Sequence, residues 1–383
     1  MNASFWEREE LYSYDVLIIG VGFTGLSTAA ALLEQQPGIR LLVVERGLFP
    51  AGASTRNAGF ACIGSPTELL ADLKQSSPQD VAALVYQRWE GLQRLRSRLN
   101  EEQIGYRLSG GYELVLPRFA PALERLGELN HLLEEQFKTN VFLRQDEFIG
   151  RYGFARDAVA GLVLNRFEGE LNPVATLKAL LQYVQSRGAL VLNGYSVSGL
   201  AQTGGAVEVY GSYCNRQSAT FRARAVAICT NGFAQSLLPA HLRDELTPGR
   251  GQVLVTRPLK RIPFQGTFHF DEGYYYFRPV GNRVLLGGGR NLDRAGETTT
   301  DFGPNYRILE DLQRKLFELI LPGRKVAMDY HWSGIMAFGN QRKPLIQEVD
   351  EGIFTGVRLG GMGVALSSTV GQQLAELILP RLR

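Results

Sequence analysis

The sequence predicts an α/β fold: a parallel sheet layered with helices, joined to a discontinuous α+β unit built on an antiparallel sheet. Three observations carry this. A β-branched run, a glycine turn and a small-residue helix open the chain, and a second apolar run ending in an acid follows. Between residues 253 and 287, short alternating segments flank a Gly-Asn turn, as antiparallel hairpins do. With 383 residues the chain exceeds one typical core.

Composition narrows the classes. Forty-five per cent hydrophobic and 21 per cent charged residues describe an ordinary globular protein. The 41 basic and 38 acidic residues leave a formal charge of +3, and the basic ones lie scattered. That balance gives no electrostatic reason for a nucleic-acid partner. Cys62, Cys214 and Cys229 are far apart and odd in number, so a disulfide framework is not expected and a reducing, cytoplasmic setting is. No cationic leader precedes the first apolar run. That run, residues 15–33, is broken by Gly20, Gly22, Thr24 and Gly25, which argues against a transmembrane segment.

Asp15 to Ile19 reads as a buried parallel strand. Gly20-Val21-Gly22-Phe23-Thr24-Gly25 then matches G-x-G-x-x-G, and a helix is expected from Leu26 to Gln35. Gly20 permits the tight turn, Gly22 lets main chain approach a pyrophosphate, and Gly25 allows close helix–strand packing. The helix start, with Phe23 and Thr24, offers free N–H groups and a positive dipole end to phosphates. Ile39 to Val44 reads as the next strand. It ends in Glu45, 20 residues beyond Gly25, where a carboxylate accepts bonds from ribose hydroxyls. Arg46 follows directly and joins the expected cofactor-binding set. Strand, turn, helix, strand and acid in this order make a Rossmann-like dinucleotide site.

Glycine spacing alone does not choose between FAD and NAD. Two later segments bear on the choice. In Gly52 to Gly59, Ser54, Thr55, Arg56 and Asn57 offer donors to phosphate or ring oxygens among small residues. Leu359-Gly360-Gly361-Met362-Gly363-Val364 opens a helix-like stretch, residues 365–379, and makes a second anion-favouring helix start. A reduced isoalloxazine carries negative charge near N1, and a simple nicotinamide dehydrogenase has no evident need of this second site.

These segments give the chain a family resemblance over nearly its full length. It resembles the D-amino acid oxidase superfamily of flavoproteins, which includes glycine, sarcosine and γ-glutamylputrescine oxidases. Residues 170–173 resemble the turn that returns the chain to the FAD domain. Residues 196–200, with Val197, resemble the strand whose valine backbone faces adenine. Residues 225–232, ending in Asn231 and Gly232, resemble the strand that stops beside the cofactor. Trp332-Ser333-Gly334 before Pro344 resembles the segment returning to the flavin. Gly-Ala-Ser-Thr-Arg-Asn-Ala-Gly and Tyr-Tyr-Tyr-Phe-Arg-Pro lean towards the γ-glutamylputrescine oxidase-like branch. The chain departs from the pattern at Gln341 to Lys343, at Gln347 and at Met362. No cysteine lies near the returning segment, so the resemblance implies non-covalent FAD.

The expected FAD domain is residues 1–65, 155–235 and 330–383, and the substrate domain 66–154 and 236–329. Residues 67–100 read as helical, with a break at Pro78; 106–116 as strand; 120–137 as an amphipathic helix. Strands are expected at 253–256, 267–270, 274–279 and 283–287, and a helix at 306–319.

The resemblance implies oxidation of an amine or amino acid by hydride transfer to flavin N5, with O2 or another electron acceptor. Tyr274 and Tyr276 share one strand face, with Arg278 by period two. The tyrosines could orient an amine, and Arg278 could hold a substrate carboxylate. His331, beside Trp332, is a candidate for the flavin pocket. None of the four histidines has metal-ligand spacing. The alternatives are a nicotinamide-dependent dehydrogenase and a flavin-binding protein without amine turnover.

Overall fold

A computed structural model describes residues 4–213 and 217–383; Cys214 lies outside them. The first strand, Ser13–Ile19, pairs in parallel with Leu41–Glu45 on one side and with Gln217–Ile228 on the other. Leu190–Asn193 and Ile353–Val357 extend the parallel set at its two flanks. Leu345–Asp350 adds an antiparallel edge, and Tyr195–Thr203 with Ala206–Tyr213 forms an antiparallel meander on Gln217–Ile228.

The run Val16 to Ile19 is apolar throughout because both sheet faces are covered. Val16 and Ile18 pack with the helix Phe23–Gln35, while Leu17 and Ile19 meet Val207, Val209 and Phe221 from the meander side. The helix Gly363–Ile378 crosses the glycine-led helix so closely that a Cβ at Gly371 would stand 2.6 Å from Thr28 main chain.

The second sheet runs in the order Met328–Phe338, Thr247–Thr256, Arg283–Gly288, Tyr275–Val280, Thr267–Phe270, Gly111–Val115, Gly161–Asn165, Phe142–Arg144. Its pairs are antiparallel with one exception: Thr267–Phe270 runs parallel to Gly111–Val115. Those two strands arrive from distant parts of the chain, so no hairpin dictates their direction. Val280 and Arg283 pair around the expected Gly281-Asn282 turn. Two strands in stretches expected for the FAD domain, Gly161–Asn165 and most of Met328–Phe338, are hydrogen-bonded into this sheet instead.

Period two sorts the sheet into faces. Phe268, Phe270, Phe277 and Leu286 pack under the helix Tyr306–Lys315 through Ile308 and Leu312. The Phe268 and Phe277 rings stack at 4.7 Å. The opposite face carries Val253, Leu285 and Tyr276 towards Phe60, Cys62 and Met362. The expected helix 67–100 divides at Pro78 into Pro66–Asp72 and Pro78–Arg98, each with proline in its first turn. Residues 120–137 become regular from Leu126, since Pro121 interrupts the preceding turn. Among the described residues no helix is long and apolar enough to cross a membrane.

Candidate functional site

Between the two sheets lies a cavity of about 990 Å³, at the top of the usual range for small-molecule sites. One end is built mainly from main chain. Gly20 sits at φ 110°, and a Cβ on Gly25 would overlap the Gly20 carbonyl oxygen, so this turn closes only with glycine there. Gly20, Gly22, Phe23 and Thr24 line the cavity; Gly25 lies behind it as a packing residue. The helix beginning at Phe23 has no acid in its first turn and no cap from its own N-cap residue. The Phe23 amide donates to Ser54 Oγ at 2.9 Å, which ties residues 53–57 to the turn. The Thr230 hydroxyl beside Gly20 is buried with no partner.

Glu45 stands at the rim. Its carboxylate accepts from the amides of Val21 at 3.3 Å and Gly47 at 3.0 Å, which hold it facing the cavity. Arg46 is exposed, with its guanidinium 3.9 Å from the Phe233 ring centre. Val197 and Asn231 line the same end. Asn231, at φ 46°, takes the Arg358 amide on its side-chain oxygen at 3.1 Å.

Other expected binders brace the loop, and among them only Asn57 also lines the cavity. Thr55 donates to the carbonyls of Pro50 and Gly52 and does not line it. Asn57 donates to Ala53 and Ser54 and accepts from the Gly59 amide. A Cβ on Gly59 would overlap the Leu171 carbonyl oxygen, and one on Gly232 would press on Met336 oxygen at 2.6 Å. Both positions permit close packing and lie off the wall.

The middle of the cavity is walled by Arg56, Gly334, and residues 360–365. Arg56 donates to Ser333 oxygen at 3.0 Å and lies 4.3 Å from the Phe302 ring centre. Gly360 and Gly361 are left-handed, and the helix from Gly363 starts with neither a side-chain cap nor an acid. Its first amides have no intrahelical partner. Gly361, Met362, Gly363 and Val364 all face the cavity. Two helix starts without a cap from their own N-cap residues, an oriented acid and an orphan hydroxyl in one cavity suit a dinucleotide with an anionic redox ring.

The far end is made of side chains. Tyr274 and Tyr276 line it as expected, and Tyr275 between them turns inward to Asp311 at 2.7 Å. Burial pushes the Tyr276 hydroxyl up to about 12. Arg294 donates to Tyr274 at 2.7 Å.

Two expectations are corrected here. Arg278 is on the predicted face but further along the strand, behind residues 58–60. Its guanidinium donates to Ala58 oxygen at 2.7 Å, Leu171 oxygen at 3.1 Å and Glu170 at 2.9 Å, and it does not line the cavity. It is an internal tie and leaves no fork for a carboxylate. His331 is exposed, because the same alternation that turns Trp332 inward to the Arg56 carbonyl turns His331 out.

Sequence reasoning missed His269 and Arg290, which both line this end. His269 lies directly across from Tyr276, so strand pairing was the available signal. Arg290 follows the end of Arg283–Gly288 and had no motif to mark it. It is half-buried, packs 3.9 Å from the Phe338 ring centre and forms no ion pair among the described residues. Burial lowers its pKa, although a guanidinium stays charged at neutral pH.

Comparison with known proteins agrees with this geometry. The family model described as DAO, FAD dependent oxidoreductase, matches residues 15–377. A γ-glutamylputrescine oxidoreductase of Escherichia coli (strain K12) is 25% identical over 98% of this chain and 86% of its own. A probable oxidoreductase OrdL of Rhizobium meliloti is 26% identical over 95% and 83%. Glycine oxidase from Geobacillus kaustophilus superposes with a TM-score of 0.77 at 21% identity, covering 96% of this chain and 95% of that one. Iminodiacetate oxidase from Chelativorans sp. BNC1 gives 0.75 at 20%, covering 95% of each. A cavity whose cofactor end is main chain and whose far end is tyrosine and arginine thus sits in a chain that belongs to the DAO family of FAD-dependent oxidoreductases.

Proposed function

We propose that this enzyme oxidises the C–N bond of an amine that also carries a carboxylate. The observation that carries this reading is Arg290, a half-buried cavity guanidinium that packs on the Phe338 ring and has no ion pair among the described residues. A desolvated charge without a partner is costly, and an anionic ligand group removes that cost. Arg294 and Tyr274 extend the same corner. The names of the relatives support the class: glycine and iminodiacetate carry carboxylates, and a γ-glutamyl amine carries one remote from its reactive end.

FAD, when bound, supplies the hydride acceptor. The protein's part is to hold the substrate and exclude water. Arg290 anchors the carboxylate, and Tyr276, protonated at all working pH values, can only donate through its hydroxyl hydrogen or accept on its lone pairs. The two amide-lined helix starts hold the cofactor, with Glu45 on a ribose. We assign the remaining binding contacts to Arg56, Ser54, Val197 and residues 361–364. The FAD is held without a covalent bond. Cys62 and Cys229 both reach the wall, but burial raises both thiols, Cys229 to about 12, and a thiol that does not ionise is a poor nucleophile.

The test is anaerobic flavin bleaching with a panel of primary and secondary amines, with and without a carboxylate. Carboxylate-bearing amines should bleach the flavin and neutral analogues should do so poorly. A flavin that dithionite reduces and no amine bleaches would overturn the reading. Admitting O2 then separates an oxidase, which recolours at once, from a dehydrogenase. Acid precipitation should release all the yellow colour to the supernatant.

A further inference from the structure

Behind the far wall lies a set of buried ionisable groups that cofactor binding does not use. Glu168 accepts the amides of Ile63 at 2.7 Å and Gly64 at 2.9 Å on one oxygen. Its other oxygen is 3.7 Å from His269 Nε2. That nitrogen is buried and has no hydrogen-bond partner. The space for the carboxylate is reserved, since a Cβ on Gly111 would overlap Glu168 Oε2. The imidazole meets the Phe60 ring edge to face at 5.0 Å and lines the cavity beside Tyr276.

We propose that His269, oriented by Glu168, takes the proton from the substrate's ammonium group before C–H cleavage. This rests on the amine reading above. In the reactive form the Nε2–H points at the Glu168 carboxylate, and the lone pair of Nδ1 is left for the cavity. One N–H bond of the ammonium breaks, its proton bonds to Nδ1, and the electron pair stays on the amine nitrogen. The Nε2 proton moves towards Glu168, so the buried pair ends neutral. An amine must lose this proton, because nitrogen needs a free pair for the neighbouring C–H to leave as hydride.

The other groups facing His269 do not compete. Glu68 is paired with Arg88 at 3.3 Å, and Glu113, beside His269 on the adjoining strand, accepts from Thr67. The Cys62 thiol is raised by burial and by Glu168 and Glu68. Tyr276 stays protonated. Glu272 lies on the turn of left-handed residues between the His269 strand and Tyr274. Burial raises Glu168 to about 8 and lowers His269 to about 4, so the pair holds its protons to near pH 8 and becomes a base above it.

The experiment is the pH profile of kcat/KM for the best bleaching amine in wild type, His269→Asn and Glu168→Gln, with histidine side-chain 15N NMR of the holoenzyme. Wild-type activity should rise with pH through an ionisation near 8, and the His269 ring shifts should move with it. His269→Asn should lose that limb and about 10²–10⁴-fold in kcat/KM at pH 7. Glu168→Gln keeps the imidazole, so both the limb and the ring titration should move at least about one pH unit lower. A limb unchanged in both variants, or wild-type ring shifts flat across it, would overturn the proposal. If His269→Asn does not fold, Glu168→Gln and the wild-type NMR still decide. A flavin that no amine bleaches would defeat the amine reading instead, and the NMR arm would still report on the pair.

Discussion

The two ends of the cavity use different materials. At the cofactor end, the groups that face the ligand are mostly amides at helix starts, plus one carboxylate held by two further amides. At the substrate end, they are the side chains of His269, Tyr274, Tyr276 and Arg290, brought together by neighbouring strands and a turn. Main-chain donors are fixed by the fold and do not titrate. Side-chain groups depend on burial and partners, and one of them here, His269, sits beside a buried acid. Binding of a constant cofactor is thereby separated from chemistry on a variable substrate.

The sharpest way to break that comparison is at Arg278, which the fold assigns to neither end. Arg278→Ala strands Glu170 and two carbonyls and should cost about 3–5 kcal/mol of stability, measured by denaturant unfolding. Carboxylate and neutral amines should lose activity equally. Selective loss for carboxylates would return Arg278 to the substrate end. Gly22→Val probes the main-chain end. Its side chain would enter the cavity beside Ser54 Oγ, 3.1 Å from the Cβ position. Losing one or two charge-assisted amide bonds at about 1.5–3 kcal/mol each should weaken FAD binding roughly 100-fold with the fold intact. Normal flavin content would refute the pyrophosphate placement.

Arg290→Gln should lower kcat/KM for carboxylate amines by about 30-fold, the worth of one charged hydrogen bond of ~2 kcal/mol, and change neutral amines little. A smaller effect comes from Glu113, which burial raises to about 7. The folded state therefore binds a proton more tightly than the unfolded chain between about pH 4.5 and 7. Stability from this group is complete below that window and falls as pH rises through it, by at most about 1.4 kcal/mol per pH unit. Glu113→Gln should flatten that slope in thermal melts; an unchanged slope would remove Glu113 as its source. His331→Ala should change stability by less than about 0.5 kcal/mol and leave flavin spectra unaltered, since the side chain is exposed.

The same division decides what was legible beforehand. Gly20, Gly22, Glu45 and residues 361–364 announce themselves because main-chain sites demand glycine at set spacings. The substrate end has no such grammar. Period two put Tyr274 and Tyr276 on one face, yet it could not tell where along that face the cavity stops, and so it misjudged Arg278. His269 needed the register of two strands, and Glu168 needed the fold that carries a distant loop behind it. The strand direction at Thr267–Phe270 was equally hidden, since its partner lies more than 150 residues earlier.

The path of the chain has a consequence for assembly. It visits the parallel sheet at residues 13–45, the second sheet at 111–165, the first again at 190–228, the second at 247–338, and the first once more at 345–357. Neither layer can be completed before the other is nearly finished. The glycines at 360–363 follow every strand of both sheets. The two glycine-led helix starts of the cradle, at residues 22–25 and 360–363, therefore lie on opposite sides of the whole strand order, so the cradle is whole only when both sheets are in place.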